Sequence, residues 1–175
     1  MPRRFNVTGS CNPKLHYMVD ITGRLKKIRE LIDNGSYFTV NRARQYGKTT
    51  TLAALADYLK NDYMVVPLDF QMLGNADFST EIVFARAFVR YLLRTIRNKR
   101  KPIKGFEKSR LDKLERAAQT EEQFSLGRLF ELLSDLCDTA QMPVVLIVDE
   151  VDSAMEYAYP LRLISNLSIE STYLG

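Results

Sequence analysis

Apolar residues along the chain change their period several times, and each change marks an element. Between Thr22 and Asp33, Leu25, Ile28, Leu31 and Ile32 recur at the spacing of an amphipathic helix. Thr22 is its expected N-cap, and Asn34-Gly35 supplies the left-handed stop. Tyr37-Phe38-Thr39-Val40 is aromatic and β-branched, which predicts a short buried strand. From Thr49 to Lys60 the helical period returns, with Leu52, Leu55, Ala56 and Leu59 on one stripe. Tyr63 to Phe70 (YMVVPLDF) reads as a second buried strand whose exit Pro67 and Asp69 mark.

Ser79 is the expected cap of a long helix to about Asn98 that offers Ile82, Phe84, Ala85, Phe88, Leu92 and Ile96 to the core. The stretch 99–120 is the most polar in the chain and reads as an insertion with a short charged helix around Arg110 to Ala118. Thr120-Glu121-Glu122-Gln123 has capping-box spacing ahead of an apolar face of Leu126, Leu129, Phe130, Leu133, Leu136 and Cys137. Pro143 to Val148 is the most strand-like run, and it ends abruptly in Asp149-Glu150. Strands alternating with helices predict an α/β fold with a mostly parallel sheet.

Composition narrows this pattern without redirecting it. A chain of 175 residues can bury the core of one domain, and 46% hydrophobic with 26% charged residues excludes a disordered or collagen-like chain. Cys11 and Cys137 form neither a disulfide framework nor a Cys-x-x-Cys metal spacing, which fits a reducing cytoplasm. The basic N-terminus lacks an apolar run behind it, and no stretch approaches the ~18 apolar residues of a membrane span, so neither export nor membrane insertion is expected. His16, the only histidine, has no ligand cluster at metal spacing and reads as structural. Ser153 lacks a partnered base, so serine hydrolase chemistry is unsupported.

The net charge of +4 is small, and its placement matters more than its sum. Arg86, Arg90, Arg94 and Arg97 line one helix face, Lys99, Arg100, Lys101 and Lys104 follow, and no acid lies between Glu81 and Glu107. Such a face suits DNA or a partner protein, while a plain solvated helix face is the simpler alternative.

The chemistry concentrates at the second helix and the last strand. A phosphate loop works because successive backbone N–H groups converge on an anion, a lysine reaches the phosphates, and a hydroxyl ligates magnesium. Arg42-Ala43-Arg44-Gln45-Tyr46-Gly47-Lys48-Thr49-Thr50 follows a predicted strand and opens a predicted helix. Lys48 would meet phosphate, Thr49 the metal, and Arg42 or Arg44 either the nucleotide or a carboxylate. Arg42 stands where the usual spacing has glycine. Magnesium also needs a carboxylate beside the phosphates, which Asp149 at the tip of a strand would supply. Glu150 would then orient or activate the attacking water. Alone, the Gly-Lys-Thr tripeptide also suits a surface turn, and Asp149-Glu150 also suits a strand end. Together they point to Mg-ATP.

The phosphate-loop residues, with His16-Tyr17-Met18-Val19-Asp20 upstream and Val144 to Asp152 (VVLIVDEVD), resemble the predicted AAA-type P-loop ATPases of prokaryotes. In that family an arginine likewise replaces the first glycine; Ala43, where the family has proline, is a departure. The resemblance covers roughly residues 5 to 153. It implies a three-layer P-loop NTPase fold with Walker A and Walker B segments, in which a further strand separates the phosphate-loop strand from the Asp149 strand. It also implies that Tyr17 to Ile21 border the adenine, while a plain core strand suits those residues equally. Past Ser153 that further strand and its polar sensor residue have no clear counterpart, although Leu161 to Ser171 is apolar enough to be a helix or a strand, and the arginine finger and C-terminal nuclease-like domain are missing. The expected organisation is therefore a core over 1–153, incomplete after the Walker B strand, with a tail over 154–175 and a truncated C-terminus. Binding of ATP and magnesium follows directly from these motifs; hydrolysis depends on the parts not found. The competing expectation is a non-hydrolysing nucleotide-binding, DNA or protein interaction module, with self-association also open. A P-loop kinase fits less well, because Glu150 follows Asp149 and no lid-like arginine segment stands out.

Overall fold

The computed structural model describes residues 21–35, 48–150 and 159–160, and the fold is built from these. Five helices and two strands follow in the order α1 (Thr22–Asp33), α2 (Lys48–Leu59), β1 (Met64–Asp69), α3 (Glu81–Ile96), α4 (Lys108–Thr120), α5 (Leu126–Asp138) and β2 (Val144–Asp149). The chain is α/β. Its two described strands pair in parallel, with Met64 opposite Val144 and Asp69 opposite Asp149.

Side chains alternate across this sheet and bury a helix layer on each face. Val65 of β1 and Val145 and Ile147 of β2 pack with Leu25 and Ile28 of α1 and Leu55 and Leu59 of α2. Val66 and Leu68, with Val144, Leu146 and Val148, face the larger core of α3, α4 and α5. At its centre Phe84, fully buried, meets Phe70 edge-on at 6.2 Å, stacks on Phe78 at 5.7 Å and tilts against Phe88 at 6.4 Å.

Pro67 lies inside β1, opposite Ile147, rather than at its exit. The ladder explains why it is tolerated there. Met64 N–H donates to the Pro143 carbonyl at 2.9 Å, and the two-residue period of parallel pairing sends the N–H groups of Val66 and Leu68 the same way. Position 67 thus needs no N–H toward β2, and among the described strands proline lies on the side of β1 that faces away from β2. The next outward N–H, that of Asp69, donates to the Tyr91 hydroxyl of α3 at 2.9 Å.

Several helix ends fall elsewhere than the sequence predicts, because side chains compete for the same backbone groups. Ile21, not Thr22, is the N-cap of α1: its carbonyl accepts from the N–H groups of Arg24 and Leu25. Ser79 closes a 3-10 turn over Asn75–Phe78, and Thr80 caps α3 by accepting from Val83 N–H at 3.2 Å. Thr120 ends α4, its hydroxyl donating back to the Arg116 carbonyl at 2.9 Å, so it opens no capping box. Ser125 caps α5 instead. Cys137, expected in the core, is exposed in the last turn of α5. Tyr37 to Val40 and Leu161 to Ser171 lie outside the described residues.

The polar stretch after α3 folds back onto the sheet. Leu111, Leu114, Ala117 and Ala118 of α4 join the larger core, with Ile103 and Phe106 packed against it. Ion pairs from Asp135 of α5 to Arg110 at 2.8 Å and Lys113 at 2.9 Å fasten α4 from outside, and they hold the Asp135 carboxyl below its usual range, Lys113 first. Gly105 makes the close approach that lets this segment pass. Its φ is 108°, its carbonyl accepts from Gln141 N–H at 3.0 Å, and a Cβ there would stand 2.6 Å from the Met64 sulfur. On the other face, Arg29 pairs with Asp62 at 2.6 Å, and the Tyr63 hydroxyl donates to Asp33, which together with burial raises the phenol above its ordinary value. No helix among the described residues is long and apolar enough to cross a membrane.

Gly105→Ala should destabilise the fold by about 1–3 kcal/mol, chiefly through a φ that L-residues avoid. Urea unfolding measures this, and an unchanged midpoint would show that position 105 does not hold that conformation.

Candidate functional site

The parallel ladder carries β2 to its end at Asp149, and α2 begins its described course at Lys48 beside that end. Two segments a hundred residues apart in sequence therefore meet. Thr49 Oγ1 donates to Asp149 Oδ2 at 3.0 Å. Lys48 Nζ lies 3.3 Å from Asp149 Oδ1 and 3.8 Å from Glu150 Oε1. The Lys48 and Asp149 side chains are 21% and 14% exposed, enough shielding from water to strengthen their attraction while leaving access to a ligand.

Glu150 takes a left-handed backbone, φ 55°, and is the one non-glycine residue with positive φ among those described. Its N–H donates to Asp149 Oδ1 at 2.9 Å, so the turn that ends β2 also fixes the rotation of the Asp149 carboxylate. A residue of this type holds such a conformation only when its surroundings impose it. The site thus presents a lysine and a hydroxyl from a helix against two consecutive carboxylates from a strand end. It can hold a hard cation between oxygen donors, and its lysine can meet an anion.

Of the residues expected here, Lys48, Thr49, Asp149 and Glu150 come together, and Thr50 follows half-buried on the same turn of α2. Arg42, Ala43, Arg44, Gln45, Tyr46 and Gly47 lie outside the described residues, as do His16 to Asp20 and Ser153. Among the described residues, no group of three or more histidine, cysteine or acidic side chains could hold a metal by itself.

The arginine face of α3 is less uniform than its sequence. Arg90 pairs with Asp77 at 3.0 Å, and Arg97 with Asp112 at 2.9 Å and Glu115 at 2.7 Å. Arg86 donates to the Glu121 carbonyl at 2.8 Å. Sequence reading gave no sign of these partners, because they sit on α4 and the flanking turns, and only packing brings them close. The positive φ at Glu150 likewise has no signal in residue type.

Compared with protein-family models, with curated proteins and with solved structures, the chain matches none significantly. The site stands on its own geometry.

Glu150→Gly and Glu150→Ala both remove the carboxylate, but only alanine keeps the left-handed penalty. The glycine variant should be the more stable by about 1 kcal/mol in denaturant unfolding. Equal stability would mean that the turn at 150 is not left-handed.

Proposed function

We propose that this chain binds Mg-ATP at the cluster of Lys48, Thr49, Asp149 and Glu150, and that it belongs with the AAA-type P-loop ATPases its motifs resemble. The observation that carries the reading is the 3.0 Å contact of Thr49 with Asp149, beside the Lys48–Asp149 pair. A hydroxyl and a carboxylate that share a metal must converge, and a lysine beside them must reach phosphate. Chance motifs at positions 47–49 and 149–150 have no reason to meet.

The donor set fits magnesium. Thr49 Oγ1 and Asp149 Oδ2 are hard oxygen donors close enough to share one ion, and such an ion takes one or two protein oxygens and completes its shell with phosphate and water. Bound there, it would neutralise phosphate charge and orient the β- and γ-phosphates.

Lys48 is held by Asp149 and Glu150 when no phosphate is present, which keeps its ammonium compensated and aimed at the site. A triphosphate offers the ammonium a denser negative charge, and Lys48 moves to it. The Glu150 carboxylate, next to Asp149, then accepts a proton or a hydrogen bond from water attacking the γ-phosphate. The backbone of residues 42–47, with Arg42 and Arg44, supplies the remaining phosphate contacts in this reading.

Two features of the fold support the assignment. Helices cover both faces of a parallel sheet, and the candidate residues cluster at the carboxyl end of a strand, where open α/β sheets place ligands. A cytoplasmic setting, where Mg-ATP is abundant, completes the reading.

Lys48→Ala should weaken binding of a fluorescent ATP analogue by two orders of magnitude or more, on the order of 3 kcal/mol for loss of a charge-assisted phosphate contact. Glu150→Gln should retain binding and lose phosphate release. Wild-type binding by the first variant would remove the site, whereas full turnover by the second would remove only the role of Glu150.

A further inference from the structure

A groove of about 850 Å³ runs between α3 and α4, remote in sequence from the Lys48 cluster. Six cations line it, Arg86, Arg90, Arg94, Arg97, Lys99 and Arg100, against one acid, Glu115. Ion pairing divides the six. Arg90 and Arg97 are compensated by Asp77, Asp112 and Glu115. Arg94, Lys99 and Arg100 make no salt bridge among the described residues, and Arg86 spends one guanidinium nitrogen on a neutral carbonyl. The Arg86 Nε is buried with no hydrogen-bond partner among the described residues, and a buried donor of that kind is costly to leave unmade. Four charges in one recess are thus left for an anion to neutralise.

We infer that this groove binds the phosphate backbone of a single-stranded nucleic acid. Its shape favours a single strand over a duplex, because duplex recognition inserts a protein helix into a groove of the DNA, whereas here the recess belongs to the protein. The spacing agrees as well: the uncompensated Arg86 and Arg94 lie eight residues, about 12 Å, apart along α3, roughly two steps between phosphates of an extended strand. An acidic polypeptide fits less well. Val89, Leu93 and Ala118 at the floor are already 2%, 4% and 6% exposed, so apolar side chains of a peptide would find little to cover. Among the described residues no aromatic ring lines the groove to stack on a base, so the inferred binding is to the backbone and indifferent to sequence.

With four uncompensated cations, the logarithm of affinity should fall with the logarithm of salt at a slope of about −3. The test is fluorescence anisotropy of a labelled oligothymidylate with the full chain, beside a duplex of equal length and poly-L-glutamate as competitor. The single strand should bind more tightly than the duplex and resist poly-L-glutamate. Arg94→Glu, and separately Lys99→Glu with Arg100→Glu, should each weaken it about tenfold or more, with an unchanged circular dichroism spectrum. Arg94→Gln, with a smaller loss, serves if the reversal disturbs folding. Lys104→Glu, exposed and outside the groove, should change affinity less than about twofold. Lys48→Ala should have no effect, which separates this inference from the nucleotide reading. Absent binding, equal loss in the Lys104 variant, tighter duplex binding, or displacement by poly-L-glutamate at equal charge would each overturn it.

Discussion

The parallel pairing of β1 with β2 is the constraint on which the rest of the structure depends. Its six-residue register places Asp69 opposite Asp149 and thereby fixes where β2 ends. Each strand sends alternate side chains to opposite faces, so this one ladder anchors α1 and α2 on one side and α3, α4 and α5 on the other. A one-residue slip of β1 would turn Val66 and Leu68 from the aromatic core toward the α2 layer, and one of β2 would move Asp149 away from Thr49. Packing and chemistry are therefore set by the same backbone hydrogen bonds.

The two ends of this seam differ in what they can do. At the amino end, Gly105, Gln141 and Met64 pack the loop before α4 closely against the strands. At the carboxyl end, side chains replace tight backbone packing: Tyr91 meets the outward N–H of Asp69, and Asp149 gathers Thr49, Lys48 and the N–H of Glu150. The left-handed turn at Glu150 stores a small strain beside the Lys48–Asp149 pair.

Elements with a clear period were legible from residues alone. The stripe of α3 through Phe84, Ala85, Phe88, Leu92 and Ile96 is buried as its spacing implies, whereas Ile82 of that stripe is half-buried and Leu31 of the α1 stripe is exposed, and the strand from Val144 to Asp149 ends where the apolar run ends. Helix ends were less legible, because Ser79, Thr80, Thr120 and Ser125 all suit a cap, and the outcome depends on which neighbouring turn claims each hydroxyl. Pro67 reads as a strand end unless the direction of the ladder is known. Charge was the least legible property: four arginines at helical spacing look like one cationic face, yet Asp77, Asp112 and Glu115 from other elements compensate two of them. At the candidate site, residue types pointed to Lys48, Thr49, Asp149 and Glu150, while their convergence required the fold.

We propose that the start of α2 and the end of β2 act as one nucleotide site. Hydrogen–deuterium exchange with and without Mg-ATP tests it most directly, because exchange reads both segments in one experiment. Peptides covering Lys48 to Leu52 and Leu146 to Glu150 should become protected together, with magnesium required for the full effect. Protection of only one segment, or of neither at saturating nucleotide, would contradict it.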